Sequence, residues 1–115
     1  MEFINFALAL VSIAFGMVGW LAPRYTMEVV DLRPGNTSMG PGEVRAASGA
    51  LFVGLGVGAL IIGTPAAYAM IGFAWGGAGI GRLTSLILDG QTNKKWGFFA
   101  CEALVAALAV GLNLG

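Results

Sequence analysis

The sequence predicts an all-α membrane protein: a four-transmembrane-helix bundle, up-down in order, with a long first loop. Three observations predict it. Of 115 residues, 57% are hydrophobic and only 10% are charged, whereas soluble domains carry about 25% charged residues. The apolar residues fall into four runs, at about 3–21, 46–62, 67–88 and 98–114. Each run approaches the roughly 20 residues needed to cross about 30 Å of hydrocarbon. Helices are the only secondary structure open to such runs, because so few short segments cannot close a barrel and lipid offers the backbone no hydrogen bonds. One integral membrane domain over residues 1–115 accounts for the whole chain.

The first run lacks a basic leader and is long enough to span, so it reads as a helix and not a signal peptide. The connection after it, 22–42, is the only long one. It holds Pro23, Pro34 and Pro41 with Gly35, Gly40 and Gly42, residues that break regular structure. Its middle mixes Met27, Val29, Val30 and Leu32 with Glu28 and Asp31. A solvated loop is expected there, with a short turn on the membrane surface as the alternative. The second connection, 63–66, is a Gly-Thr-Pro turn, so the second and third helices form an antiparallel hairpin. The third, 89–97, is polar and carries Lys94 and Lys95.

Charge placement predicts topology. Arg24, Arg33, Arg45, Lys94 and Lys95 lie at the first and third connections, and no Lys or Arg lies at either terminus or the short turn. The positive-inside bias puts connections 22–42 and 89–97 in the cytoplasm and both termini outside. Trp20, Tyr25 and Trp96 suit one membrane interface and Tyr68 the other.

Arg82 is the sixth cation and falls inside the third run. It lies six residues before Leu88, roughly 9 Å into the membrane at 1.5 Å per residue. Glu102 lies six residues after Trp96, at the same depth from the same face. A central arginine costs about 2.5–3.5 kcal/mol on insertion scales, so it should face a carboxylate. The expected intramembrane polar cluster is Arg82 with Glu102, supported by Glu43 and Asp89, with Arg45 offsetting the extra acid and Ser48 and Ser85 adding hydroxyls. Such a cluster locks helices in register. It could also form a vestibule for a headgroup, ion or carboxylate, or Arg82 could snorkel alone to the surface.

Small residues repeat at four-residue spacing: Ala50, Gly54 and Gly58 in the second helix, Gly72 with Gly76 and Gly77 with Gly81 in the third. In lipid, helices associate through close backbone approach and dispersion, which such residues permit. Packing within the hairpin uses part of this surface, and contact with another protein is expected to use the rest. Asn5 is expected at the outer interface, and Cys101 reads as a small apolar residue.

Glu43-Val44-Arg45-Ala46 followed by Gly49, then Gly81-Arg82-Leu83 through Ser85 to Asp89-Gly90, then Glu102, resembles the DUF4345 family of small bacterial membrane proteins. The resemblance spans most of the chain. It implies four membrane helices in a bacterial inner membrane and brings no activity with it. It also implies an aromatic residue at the place of Ser48 in many relatives, so no stacking role is expected there.

The function expected is non-enzymatic: an accessory or assembly subunit that packs against other membrane proteins, or against itself, through glycine-rich helices. The alternative is a small dimeric transporter, or a lipid or small-molecule binder, using Arg82 and Glu102. In size the chain resembles the small multidrug resistance exporters, but those carry an essential carboxylate in the first helix, and here that helix has no acid beyond Glu2. Neither a cofactor nor a metal site is expected, because the chain has one cysteine and no histidine. The same absence leaves no activated nucleophile. Zero net charge points away from nucleic acid. The lipid bilayer is the one partner that composition requires.

Overall fold

A computed structural model describes residues 2–114. Six α-helices carry the described chain: α1 (Glu2–Leu21), α2 (Pro23–Val29), α3 (Met39–Arg45), α4 (Leu51–Ile62), α5 (Pro65–Leu88) and α6 (Asn93–Leu114). A π-helical turn, Ala46–Ala50, joins α3 to α4, so that Met39–Ile62 forms one segment of 24 residues. No strand occurs among the described residues. Four segments are long and apolar enough to cross a membrane: Glu2–Leu21, Met39–Ile62, Pro65–Leu88 and Asn93–Leu114. The protein is a multi-pass membrane protein. Phe3, Ile61, Ile80 and Ile87 are all more than two-thirds exposed, as side chains facing lipid are.

Three helix starts precede their expected positions, each for a local reason. The second segment begins at Met39 rather than near residue 46, because the Gly-Pro-Gly stretch that reads as loop forms its first turns. Pro41 falls in the first turn of α3, where its missing N–H costs no helical hydrogen bond. α5 begins at Pro65, with Thr64 as N-cap; its hydroxyl accepts from the Ala67 N–H at 3.3 Å. α6 begins at Asn93 rather than near 98. The Thr92 hydroxyl accepts from the Lys95 N–H at 3.1 Å and caps it. Its polar first turn carries no apolar pattern to announce it.

The first connection contains the α2 helix, where a solvated loop was expected. Ala22 precedes proline and leaves helical conformation (φ −131, ψ 61), which ends α1. Pro23 then opens α2 at its first position. α2 closes in a Schellman motif. Asp31 takes a left-handed φ of 61, the Leu32 N–H donates to the Met27 carbonyl at 2.7 Å, and the Asp31 N–H donates to the Glu28 carbonyl at 3.1 Å. Met27 is buried beneath this turn.

The described chain divides into two compact units. One comprises described residues 2–8 and 62–114, and the other residues 9–61. In the second unit, α1 and the Met39–Ile62 segment meet backbone to backbone. A Cβ at Gly16 would lie 2.6 Å from the Val53 nitrogen and 2.7 Å from the Gly49 oxygen; one at Gly56 would lie 2.6 Å from the Ala9 oxygen. A Cβ at Gly19 would collide with the Ser48 carbonyl, and one at Gly49 with the Trp20 nitrogen. The π turn is built from Ala, Ala, Ser, Gly and Ala, so its wider winding displaces no bulky side chain. The buried Ser12 hydroxyl donates to the Phe52 carbonyl at 3.0 Å, adding a hydrogen bond to the same contact.

In the first unit, α5 packs on α6. Tyr68, Ile71, Gly72, Trp75 and Gly79 form the buried stripe of α5, and Glu102, Val105 and Ala109 that of α6. Asn5 is buried rather than interfacial. Its amide exchanges two hydrogen bonds with Asn113, at 2.8 and 2.9 Å, tying the start of α1 to the end of α6.

Candidate functional site

α5 and α6 are joined by a turn short enough to set them side by side. Asp89 caps α5, and Gly90 follows with φ +103, a conformation that glycine adopts at no steric cost. Thr92 then restarts the helix. Arg82 lies six residues before the end of α5 and Glu102 nine residues after the start of α6, an offset of about 4.5 Å along the helices that the long arginine side chain spans. The guanidinium Nε donates to Oε1 at 3.3 Å and Nη2 donates to Oε2 at 3.0 Å. Both carboxylate oxygens are engaged by one planar fork, the strongest geometry for such a pair.

Two neighbours hold the fork. Phe98 is four residues before Glu102 on α6, so both share one face. Its ring centroid lies 5.1 Å from the Arg82 Cζ, a cation–π contact. Gly79, three residues before Arg82, is buried, and a Cβ there would stand 3.6 Å from the Glu102 Cβ. The pair is lopsided in exposure: 31% of the Arg82 side chain is accessible against 11% of the Glu102 side chain. The carboxylate is the inner member and the guanidinium the outer one.

Asp89 does not join this pair. Its Oδ2 accepts from the Ser85 hydroxyl at 3.0 Å, one turn apart at the exposed end of α5. Glu43, Arg45 and Ser48 belong to the unit of residues 9–61 and are exposed there. Arg45 serves a backbone group: its Nη1 donates to the Trp20 carbonyl at 2.7 Å. That carbonyl lies in the last turn of α1, where helical donors run out, so Arg45 is a cationic cap for α1.

The small residues separate into two sets. Gly72 and Gly76 face α6. A Cβ at Gly72 would lie 2.7 Å from Val110 Cγ2 and 2.9 Å from the Ala109 Cβ, and one at Gly76 would lie 3.3 Å from the Ala106 Cβ. At Gly54, Gly58, Gly77 and Gly81 a Cβ would meet no described atom within 4 Å, and Ala50 is exposed. Sequence reasoning passed over Phe98 and Gly79, and assigned no helix contact to Gly16, Gly19 or Gly49, which with Gly56 make the tightest ones. The spacing Gly49–Gly56, seven residues, was a usable signal, because it returns to the same helix face after two turns. Phe98 carried its own signal in its place four residues before Glu102.

A family model described as a domain of unknown function, DUF4345, matches residues 1–112. No curated protein and no solved structure matches the chain. The family match runs through all four membrane-length segments and through every residue of the Arg82 site, and the chain belongs to the DUF4345 family.

Proposed function

We propose that the protein is a non-enzymatic accessory or assembly subunit of a bacterial inner-membrane complex, with connections 22–42 and 89–97 cytoplasmic. One observation carries this reading. Gly54, Gly58, Gly77 and Gly81 have open space where a side chain would stand, while other glycines make the contacts within the chain. A glycine in an exposed helix position costs helix stability, about 1 kcal/mol in water. In lipid, such surfaces pack against other helices by close approach. The absence of histidine and the single cysteine support a role without catalysis.

The test is gentle extraction of the tagged protein from its native membrane, followed by native-size analysis and identification of what travels with it. Wild type is expected to migrate with one larger complex at a fixed ratio. Gly54→Leu and Gly77→Leu are expected to leave a folded protein that has lost that complex. Migration of wild type alone, or survival of the complex in both variants, refutes the reading. The second reading is a small dimeric transporter or binder at Arg82 and Glu102. The accessible edge of Arg82 favours binding. The engagement of both Glu102 oxygens weighs against that carboxylate as a carrier of ions or protons.

A further inference from the structure

We propose that the outer edge of the Arg82 guanidinium binds the phosphodiester of a membrane phospholipid, with Phe98 as its platform and Lys95 as a second cation. The site is independent of whether the open glycines meet a partner.

A guanidinium has five N–H donors. Glu102 takes one from Nε and one from Nη2. Nη1 donates to no described residue, and the other Nη2 hydrogen points along the same edge. These donors belong to the more accessible member of the pair. α5 has 24 residues, about 36 Å at 1.5 Å each, so its end passes only slightly beyond a hydrocarbon core of about 30 Å. Arg82 therefore opens below the headgroup level, where unpaired N–H groups are costly and no water is resident. Arginine at such depth draws headgroups and water inward by local thinning of the bilayer.

The chemistry of the edge selects among acceptors. Two parallel N–H groups in one plane match two oxygens of a phosphate, a fit that a point charge lacks. Lys95, Phe98 and Glu102 follow one another at helical spacing on α6, so Lys95 lies on the same stripe, about two turns nearer the headgroups than Glu102. Its Nζ already donates to the Gly90 carbonyl at 3.0 Å, which holds it at this end of the hairpin. Exposed Leu83 and Ile87 on α5 offer apolar surface to acyl chains beside the site. Glu102 opposes any anion there, so the affinity is held down by the residue that orients the fork.

The test uses the whole protein in mild detergent, with retained lipid counted by native mass spectrometry. The probes are phosphatidylglycerol, a diacylglycerol with the same chains and no phosphate, and inorganic phosphate. Phosphatidylglycerol is expected to be retained and diacylglycerol lost. Arg82→Lys keeps the charge without the fork and should weaken phosphatidylglycerol retention about tenfold. Arg33→Ala, an exposed cation of the other unit, should leave it unchanged. Glu102→Gln removes the opposing charge and should tighten retention, a gain that a purely structural pair does not produce. Equal retention by wild type and Arg82→Lys overturns the site, as does diacylglycerol held as firmly as phosphatidylglycerol. Displacement of the lipid by inorganic phosphate overturns the assignment to lipid. Should Arg82→Lys fail to fold, Glu102→Gln decides alone, and unchanged or weaker retention overturns the proposal.

Discussion

Gly49→Ala and Gly54→Ala add the same methyl group to the same helical segment, five residues apart, and should have opposite effects. At Gly49 the new Cβ would lie 2.7 Å from the Trp20 Cα and 2.8 Å from the Gly19 carbonyl carbon, besides colliding with the Trp20 nitrogen. All three are backbone atoms and cannot rotate away. Relief of the closest of these contacts requires the helices to part by roughly 1 Å, and a gap of that size forfeits up to about half of each dispersion contact across it. Lipid supplies no hydrophobic compensation. Overpacking of this kind costs about 1–3 kcal/mol, and rigid neighbours place it toward the upper end. At Gly54 the methyl meets no described atom within 4 Å, and the exchange of glycine for alanine favours the helix by up to about 1 kcal/mol. The two variants should therefore differ by roughly 2–4 kcal/mol. Reversible unfolding of the purified protein in mixed micelles, titrated with a denaturing detergent and followed by circular dichroism, measures the difference. Coincident unfolding curves for the two variants would falsify the assignment of Gly49, rather than Gly54, to the helix contact.

Arg82→Ala should destabilise by about 3 kcal/mol, the lower end of the range for breaking a buried pair because Arg82 is partly accessible, whereas Lys95→Ala should cost under about 1 kcal/mol; equal melting temperatures in detergent would sink the buried-pair argument. Asn113→Ala should cost about 1–2 kcal/mol by stranding the buried Asn5 amide. Restoring apolarity on both sides with Asn5→Leu and Asn113→Leu should recover part of that loss in the same assay, and a double variant weaker than Asn113→Ala would contradict it. Arg45→Ala should cost about 1 kcal/mol and speed amide exchange in the last turn of α1 and in α2; unchanged exchange there would remove Arg45 from its capping role.

Much of this protein was legible in order along the chain. The four spans follow from run length, because hydrocarbon thickness sets a minimum that composition alone reveals. The meeting of Arg82 and Glu102 was expected from counting residues from one turn; the pair forms although α6 begins three residues before the Trp96 used for that count, because the arginine side chain spans the difference. Helix starts were less legible. Met39–Arg45 and the first turn of α6 are polar or rich in glycine and proline; Thr92 caps a backbone N–H and Pro41 presets its own φ, and neither leaves a hydropathic trace. α2 is too short for periodicity to separate it from a loop.

What the sequence by itself determined is therefore which segments are long and apolar enough to cross a membrane and that Arg82 and Glu102 lie near the same turn. Which faces touch was decided only by the tertiary structure. Glycines at four-residue spacing make a smooth stripe on any helix, and Gly54 with Gly58 satisfies that pattern as well as Gly72 with Gly76 does. Only the second pair has a helix against it within its unit. The tight contact of Gly19 with Gly49 depends on the π turn, which shifts the face presented after Ala46, and on Arg45 reaching the Trp20 carbonyl. Helix rotation and crossing are properties of two surfaces together, and depth along one helix is a property of that helix alone.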